Sequence, residues 1–103
     1  INEIYDNYSK IIDQLNSRNI EVFIQSVLYV AKKYPNSKEI NSKVLELNNR
    51  LIELANDKNI KFIELNLILS EDKFLKEKYQ NDVIHLNGEA YQLWANEIKT
   101  FVK

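Results

Sequence analysis

The sequence predicts an α/β domain built on parallel strands, and three observations carry that prediction. Apolar residues recur at helical spacing near the start, middle and end of the chain. Two runs rich in β-branched and aromatic residues, about 21–30 and 60–66, lack the alternation of a half-exposed strand. A run of that kind suits a strand covered on both faces, as in a parallel sheet. The longest helical pattern lies between the two runs, and strand, helix, strand is a βαβ unit.

Ile4, Tyr5, Tyr8, Ile11, Ile12 and Leu15 fall on one helix face, with Asp6, Asn7, Lys10, Asp13 and Gln14 on the other. Ser17-Arg18-Asn19 ends that helix. The first strand follows within Glu21–Val30. Pro35 and Asn36 announce the next helix, Asn36 as its cap and Glu39 completing a capping box. Its stripe is Ile40, Val44, Leu47, Leu51 and Leu54, and Asp57-Lys58-Asn59 stops it. Lys61–Asn66 reads as the second strand. Ser70-Glu71-Asp72 is expected to start a short helix ending near Lys78. The segment from Asp82 to His85 is a loop, and Asn87 caps a last helix whose stripe is Tyr91, Trp94, Ala95, Ile98 and Phe101 or Val102.

Two strands offer too little surface to bury three or four amphipathic helices, and one edge of the first strand would lie open. More chain, or else another subunit, is therefore expected to complete the sheet, and the sequence favours the first. The chain contains no methionine. Ile1 is accordingly expected to be a cleavage point, an expression boundary or the edge of an incomplete sequence.

At 103 residues, with 45% hydrophobic and 28% charged residues, the chain has the makeup of one small globular domain. A net charge of −1, with Lys and Arg scattered, provides no field for nucleic acid or an anionic membrane. No apolar run approaches the ~20 residues that span a bilayer. Without cysteine, disulfides and thiolate chemistry are excluded, and a single histidine argues against a zinc site. One glycine cannot build a phosphate-cradling loop.

The chemistry concentrates in Asp82-Val83-Ile84-His85-Leu86-Asn87-Gly88-Glu89-Ala90-Tyr91. An aspartate three residues before a histidine can accept a hydrogen bond from imidazole Nδ1–H. That fixes the tautomer and turns Nε2 toward a nucleophile's proton, the part played by the acid in a catalytic triad. Taken alone, a solitary histidine more often satisfies backbone groups at a helix entry. The aspartate and the position after a strand, where α/β folds place their sites, favour the catalytic reading. Ser26 lies within an apolar strand without a sharp turn to expose it, so a buried hydroxyl bonded to backbone is expected there. Tyr91 and Trp94 are expected to pack the last helix on the sheet. Glu71, Asp72 and Glu77 read as a solvated helix face rather than paired catalytic carboxylates.

The block Asp82-x-x-His85-Leu86-Asn87 with its aromatic helix closely resembles the closing signature of the SGNH (GDSL-type) ester hydrolases. Phe23-Ile24-Gln25-Ser26-Val27-Leu28 is similar to that family's central strand. Ile40 through Asn48-Asn49-Arg50-Leu51 resembles its "I-x-x-L-N-x-x-L" helix, Lys61–Leu65 the strand before its catalytic loop, and Asn2–Leu15 the helix after its Gly-x-Asn-Asp block. Val83 and Ala90 stand where members usually have Gly, and Tyr29 where a proline is common.

The resemblance implies the C-terminal half of a flavodoxin-like three-layer α/β/α fold, with residues 1–103 as a single partial domain. It implies a Ser-His-Asp ester hydrolase in which His85 is general base and acid and Asp82 its orienter. The nucleophilic serine and the oxyanion-hole Gly and Asn would lie upstream. No cofactor is implied, and the implied substrates are small acyl esters, including O-acetylated carbohydrates. The isolated chain is expected to be inactive. A reading of another class is a non-catalytic interaction module that associates through its open sheet edge. A third, a response-regulator-like or flavodoxin-like fragment, lacks a phosphoacceptor pocket or phosphate loop.

Overall fold

The computed structural model describes residues 2–81 and 85–102. Helix α1 (Asn2–Ser17), strand β1 (Phe23–Gln25), helix α2 (Ser37–Lys58) and strand β2 (Lys61–Ile63) come first. They are followed by the one-turn helix α3 (Asn66–Leu69), strands β3 (Ser70–Glu71) and β4 (Phe74–Leu75), a 3₁₀ turn at Glu77–Tyr79 and helix α4 (Gly88–Phe101). β1 and β2 are parallel, with Ile24 opposite Phe62. Side chains alternate across a strand, and here the two faces meet different helices. Ile24 and Phe62 pack with Ile12 of α1 and Leu51, Leu54 and Ala55 of α2. On the other face Phe23 and Ile63 pack with Leu65, Leu69, Tyr79 and Ala90, joined by Leu93, Trp94, Ile98 and Phe101 of α4. The result is the predicted mixed α/β architecture, a parallel pair with helices on both sides.

Asparagine takes over the backbone work usually left to glycine. Asn19 and Asn59 adopt φ of 60° and 55°, a left-handed conformation that Asn tolerates better than most residues. Each ends a helix the same way. Ile20 N–H bonds Leu15 O at 3.0 Å, and Ile60 N–H bonds Ala55 O at 2.9 Å. This is the 6→1 bond of a Schellman cap, which turns the chain sharply into the following strand. Asn36 is also left-handed, at φ 60°, and its side chain makes no capping bond. The expected capping box is therefore not formed. Ser37 Oγ instead donates to Lys32 O at 2.8 Å, tying the helix start to the incoming chain.

The first strand is much shorter than predicted. Its ladder with β2 covers 23–25 rather than 21–30, because the chain after Ile63 turns into α3 and offers no further backbone. Ser26 N–H still bonds Ile63 O at 2.9 Å, and beyond it the N–H groups of Val27, Tyr29 and Val30 find side-chain partners. Val27 N–H donates to Asn48 Oδ1 at 2.7 Å and Asn48 Nδ2 returns a bond to Val27 O at 2.9 Å. Val30 N–H donates to Asn41 Oδ1 at 2.8 Å and Asn41 Nδ2 returns one to Val30 O at 3.1 Å. A carboxamide carries one acceptor and two donors, so each asparagine stands in for a peptide unit of a neighbouring strand. The spacing explains the fit. Seven residues along a helix rise about 10.5 Å, and three residues of extended chain span about 10 Å.

The segment expected to be a helix from Ser70 to Lys78 is a β-hairpin followed by the 3₁₀ turn. Asp72 and Lys73, at φ 52° and 65°, form its two-residue turn, and positive φ at both central residues is the mark of a type I′ hairpin. Tertiary bonds override the local preference. Lys73 O accepts from Asn41 Nδ2 at 2.8 Å, and Leu75 N–H reaches Val30 O at 3.2 Å. The stripe of α4 is also rotated from the predicted one. Ala90 is fully buried, whereas Ala95 is exposed and Tyr91 is 52% exposed, stacked on Trp94.

Helix α1 is held to α2 by Tyr5, whose hydroxyl donates to Asp57 beneath the Arg50 guanidinium, and by Lys58 on Asp13 at 2.8 Å. The bond to Asp57 raises the Tyr5 phenol above its ordinary pKa. Yet only Ile12 of α1 is buried, while Tyr8 and Ile11 remain 45% and 51% exposed. With Val22, Phe23, Ile24 and Gln25 they line an open groove of about 260 Å³ to which β2 contributes nothing. Among the described residues, β1 is hydrogen-bonded to a strand on one side only.

Two stability changes follow. Replacing Asn48 by Leu preserves bulk but strands the Val27 N–H, at a cost of about 1–3 kcal/mol for a buried unpaired group. The thermal midpoint should fall by roughly 5–15 °C, and an unchanged melt would refute the strand-mimic role. At Asn59, Gly should hold stability while Val loses about 1–2 kcal/mol, measured by denaturant midpoints at equal slope. Equal midpoints for the two would show that the left-handed cap is not what ends α2.

Candidate active site

His85 is exposed, on a loop whose two ends are fixed by backbone hydrogen bonds. Asn81 N–H donates to His85 O at 2.8 Å, and Asn87 N–H donates to Tyr79 O at 2.9 Å. Between them Gln80 and Leu86 form an antiparallel bridge. Tyr79 is buried, and Leu86 packs against the core cluster of the α4 face. An exposed imidazole is thus mounted on a backbone anchored immediately on its C-terminal side. Asp82, expected to orient it, and Val83 lie outside the described residues.

Asn87 does more than the cap predicted for it. Its Oδ1 accepts from Ala90 N–H at 3.0 Å, closing the first turn of α4 as an N-cap should. Its Nδ2 donates to Lys78 O at 2.7 Å, clamping the helix entry to the 3₁₀ turn. The signal was present in the sequence as the asparagine two residues after the histidine. Nothing local, however, pointed to Lys78.

The direction of α4 places the loop. Trp94 Nε1–H donates to Gln25 Oε1 at 2.6 Å, at the carboxyl end of β1. Phe101 meets Phe23 at the start of β1, ring edge to face at 6.3 Å. Helix α4 therefore runs opposite to β1, and its N-terminus extends past the strand's carboxyl end. Seven residues from Trp94 back to Asn87 rise about 10 Å. His85 accordingly stands beyond the carboxyl ends of the parallel strands, where open α/β sheets place their sites.

Ser26 is buried, and its Oγ accepts from Leu65 N–H at 2.9 Å. This is the bonded, inaccessible hydroxyl expected from the sequence. Ser37 is also buried, and Ser17 and Ser70 donate to Gln14 O and Asn66 Oδ1. Glu71, Asp72 and Glu77 are exposed, Glu71 and Asp72 on the hairpin rather than on a helix. Among the described residues no cluster of three or more His, Cys, Asp or Glu could hold a metal ion, and no helix is long and apolar enough to cross a membrane.

A GDSL-like lipase from Bacteroides thetaiotaomicron is 27% identical and superposes with a TM-score of 0.76, over 94% of this chain and 49% of that one. A candidate acylhydrolase from Bacteroides fragilis, 22% identical, gives 0.80 over 97% and 50%. An acetyl xylan esterase, 21% identical, gives 0.79 over 99% and 55%. The chain thus spans about half the length of the solved structures it resembles. No curated protein matches it. The model of the GDSL-like lipase/acylhydrolase family matches residues 1–98, nearly the whole sequence, and the chain belongs to that family.

Proposed function

We propose that this chain is the C-terminal portion of a Ser-His-Asp ester hydrolase and contributes the histidine and aspartate of its triad. The observation that carries the reading is the exposed His85, fixed beyond the carboxyl ends of the strands. Membership of a family of ester hydrolases supports a proton-transfer role for a histidine so placed. The nucleophilic serine and the oxyanion donors come from polypeptide that completes the sheet on the open side of β1. Half-length coverage of the solved structures and the uncovered stripe of α1 both support this.

In this mechanism His85 takes the serine proton as the oxygen attacks the ester carbonyl. The tetrahedral oxyanion is met by donors from the other half, which contribute much of the rate. Collapse expels the alcohol with the proton that His85 returns. Water, deprotonated by the same imidazole, then frees the acid from the acyl-enzyme. Asp82 holds the imidazole in the productive tautomer and stabilises its charged form. The substrates are small acyl esters. Resemblance in fold to an acetyl xylan esterase makes O-acetylated carbohydrate the first class to test. The stand-alone interaction module is less favoured, because the family match runs through the strands, the loop and α4 alike.

The isolated chain should hydrolyse p-nitrophenyl acetate no faster than buffer. Turnover by this piece alone, abolished by His85→Ala, would overturn the division of the triad. In an enzyme completed by the upstream half, Asp82→Asn should lower kcat by about 10⁴ while leaving substrate binding close to unchanged. A loss of only a few fold would remove Asp82 from the orienting role.

A further inference from the structure

A cavity of about 400 Å³ opens between Lys32-Lys33 and the β3–β4 hairpin, bounded by Phe74, Leu75, Lys76 and Gln80. That volume is within the range of small-molecule sites, roughly 300–1,000 Å³, and the composition is of the same kind, an apolar floor with a few converging polar groups. Leu75 is buried and Phe74 partly so, while the rim carries three lysines facing Glu71, Asp72 and Glu77. Opposite charges in equal number leave no net field to draw in an ion.

One polar atom here is unspent. Gln80 Nε2 donates to Leu75 O at 3.1 Å, which fixes the sense of the amide. Gln80 Oε1 is then buried with no hydrogen-bond partner among the described residues. A buried acceptor left unpaired costs free energy that a donor would recover. Gln80 is one of the residues lining the cavity, which puts a donor held there beside the side chain that carries Oε1. Phosphate and carboxylate bring chiefly acceptors and a charge that the balanced rim does not match, and a hydrocarbon brings no donor at all. A neutral hydroxyl satisfies both the orphan oxygen and the balanced rim.

The wall is also built at a cost. Asp72 and Lys73 are held at positive φ, a strain that persists only where the surroundings impose it. Here the Asn41 amide does so through Lys73 O. The cavity adjoins the histidine loop, since Gln80 is bridged to Leu86, the residue after His85.

From these features we infer that the cavity formed by Phe74, Leu75, Lys76 and Gln80 beside Lys32-Lys33 is a binding subsite for a neutral, hydroxyl-rich group such as a saccharide ring. Its assignment to the alcohol side of the ester rests on the hydrolase reading above; the binding itself does not. Sugar C–H groups would lie on Phe74 while one hydroxyl donates to Gln80 Oε1.

The test is titration of the intact protein with xylobiose, following backbone amide shifts by NMR, with inorganic phosphate as the anionic comparison. Saturable shifts centred on Phe74, Leu75 and Gln80 are expected, with binding about three- to tenfold weaker in Gln80→Met. Phe74→Leu, which keeps the floor apolar, should weaken binding as well and gives a second reading if the first variant is poorly folded. No saturable shift at these residues, affinity unchanged in both variants, or tighter binding of phosphate at the same residues would overturn the assignment. Failure here with His85-dependent esterase activity intact in the completed enzyme would remove the subsite alone.

Discussion

The structure depends on two asparagines of α2 doing the hydrogen bonding of a missing strand. Asn41 and Asn48 are each 3% exposed, and buried carboxamides in a helix interior are unfavourable unless every group is paired. Here they are paired, with Val30 and Val27. Extended chain is thereby carried from Val27 to Val30, between the end of the β2 ladder and the bridge to the hairpin. Ala31 then bridges Leu75, which places the hairpin. The hairpin leads into the 3₁₀ turn, and the turn, through Lys78 and Tyr79, receives Asn87 and so fixes the loop of His85. The histidine is positioned by amide chemistry some forty residues earlier in the chain.

Asn66 extends the device from the other side. Its Nδ2 donates to Val27 O at 2.9 Å and its Oδ1 accepts from Tyr29 N–H at 3.3 Å. Three side-chain amides therefore serve one stretch of four residues, Val27 to Val30. Tyr29, in the middle of that stretch, has its phenol pKa raised by burial and then by the nearby Glu64 carboxylate. Polar networks of this sort specify a single arrangement when fully satisfied, and the one formed here sets the course of the chain toward the hairpin and the His85 loop.

These dependencies explain what could be read from the sequence. The parallel pair, both long helices, the stops at Asn19 and Asn59 and the cap at Asn87 follow from local pattern, because period and capping chemistry act over a few residues. The 21–30 strand was over-extended, since its apolar, β-branched composition persists beyond the point where β2 stops pairing with it. Asn41 and Asn48 lie beside the Ile40–Leu54 stripe, on the buried side of α2. Their seven-residue spacing on that same face was the available clue. The hairpin was not legible, because its turn is Asp-Lys rather than Asn-Gly and is imposed by Asn41 from outside. For the site, His85 and Asn87 were legible as a motif, whereas the second bond of Asn87, to Lys78 O, needed the folded chain.

The open side of β1 ties stability to function. A parallel strand is normally covered on both faces and paired on both edges, and β1 meets the first condition but only half of the second. Tyr8 and Ile11 lie along the same unfinished side. Complete burial of side chains of this size stabilises by about 1.5–3 kcal/mol each, a large increment against the 5–15 kcal/mol typical of a whole domain. A neighbouring strand would therefore add substantially to stability. A parallel strand on that edge points its carboxyl end in the same direction as β1, toward the end past which α4 holds His85. A strand added on that edge would thus cover Tyr8 and Ile11 and end on the same side of the sheet as His85.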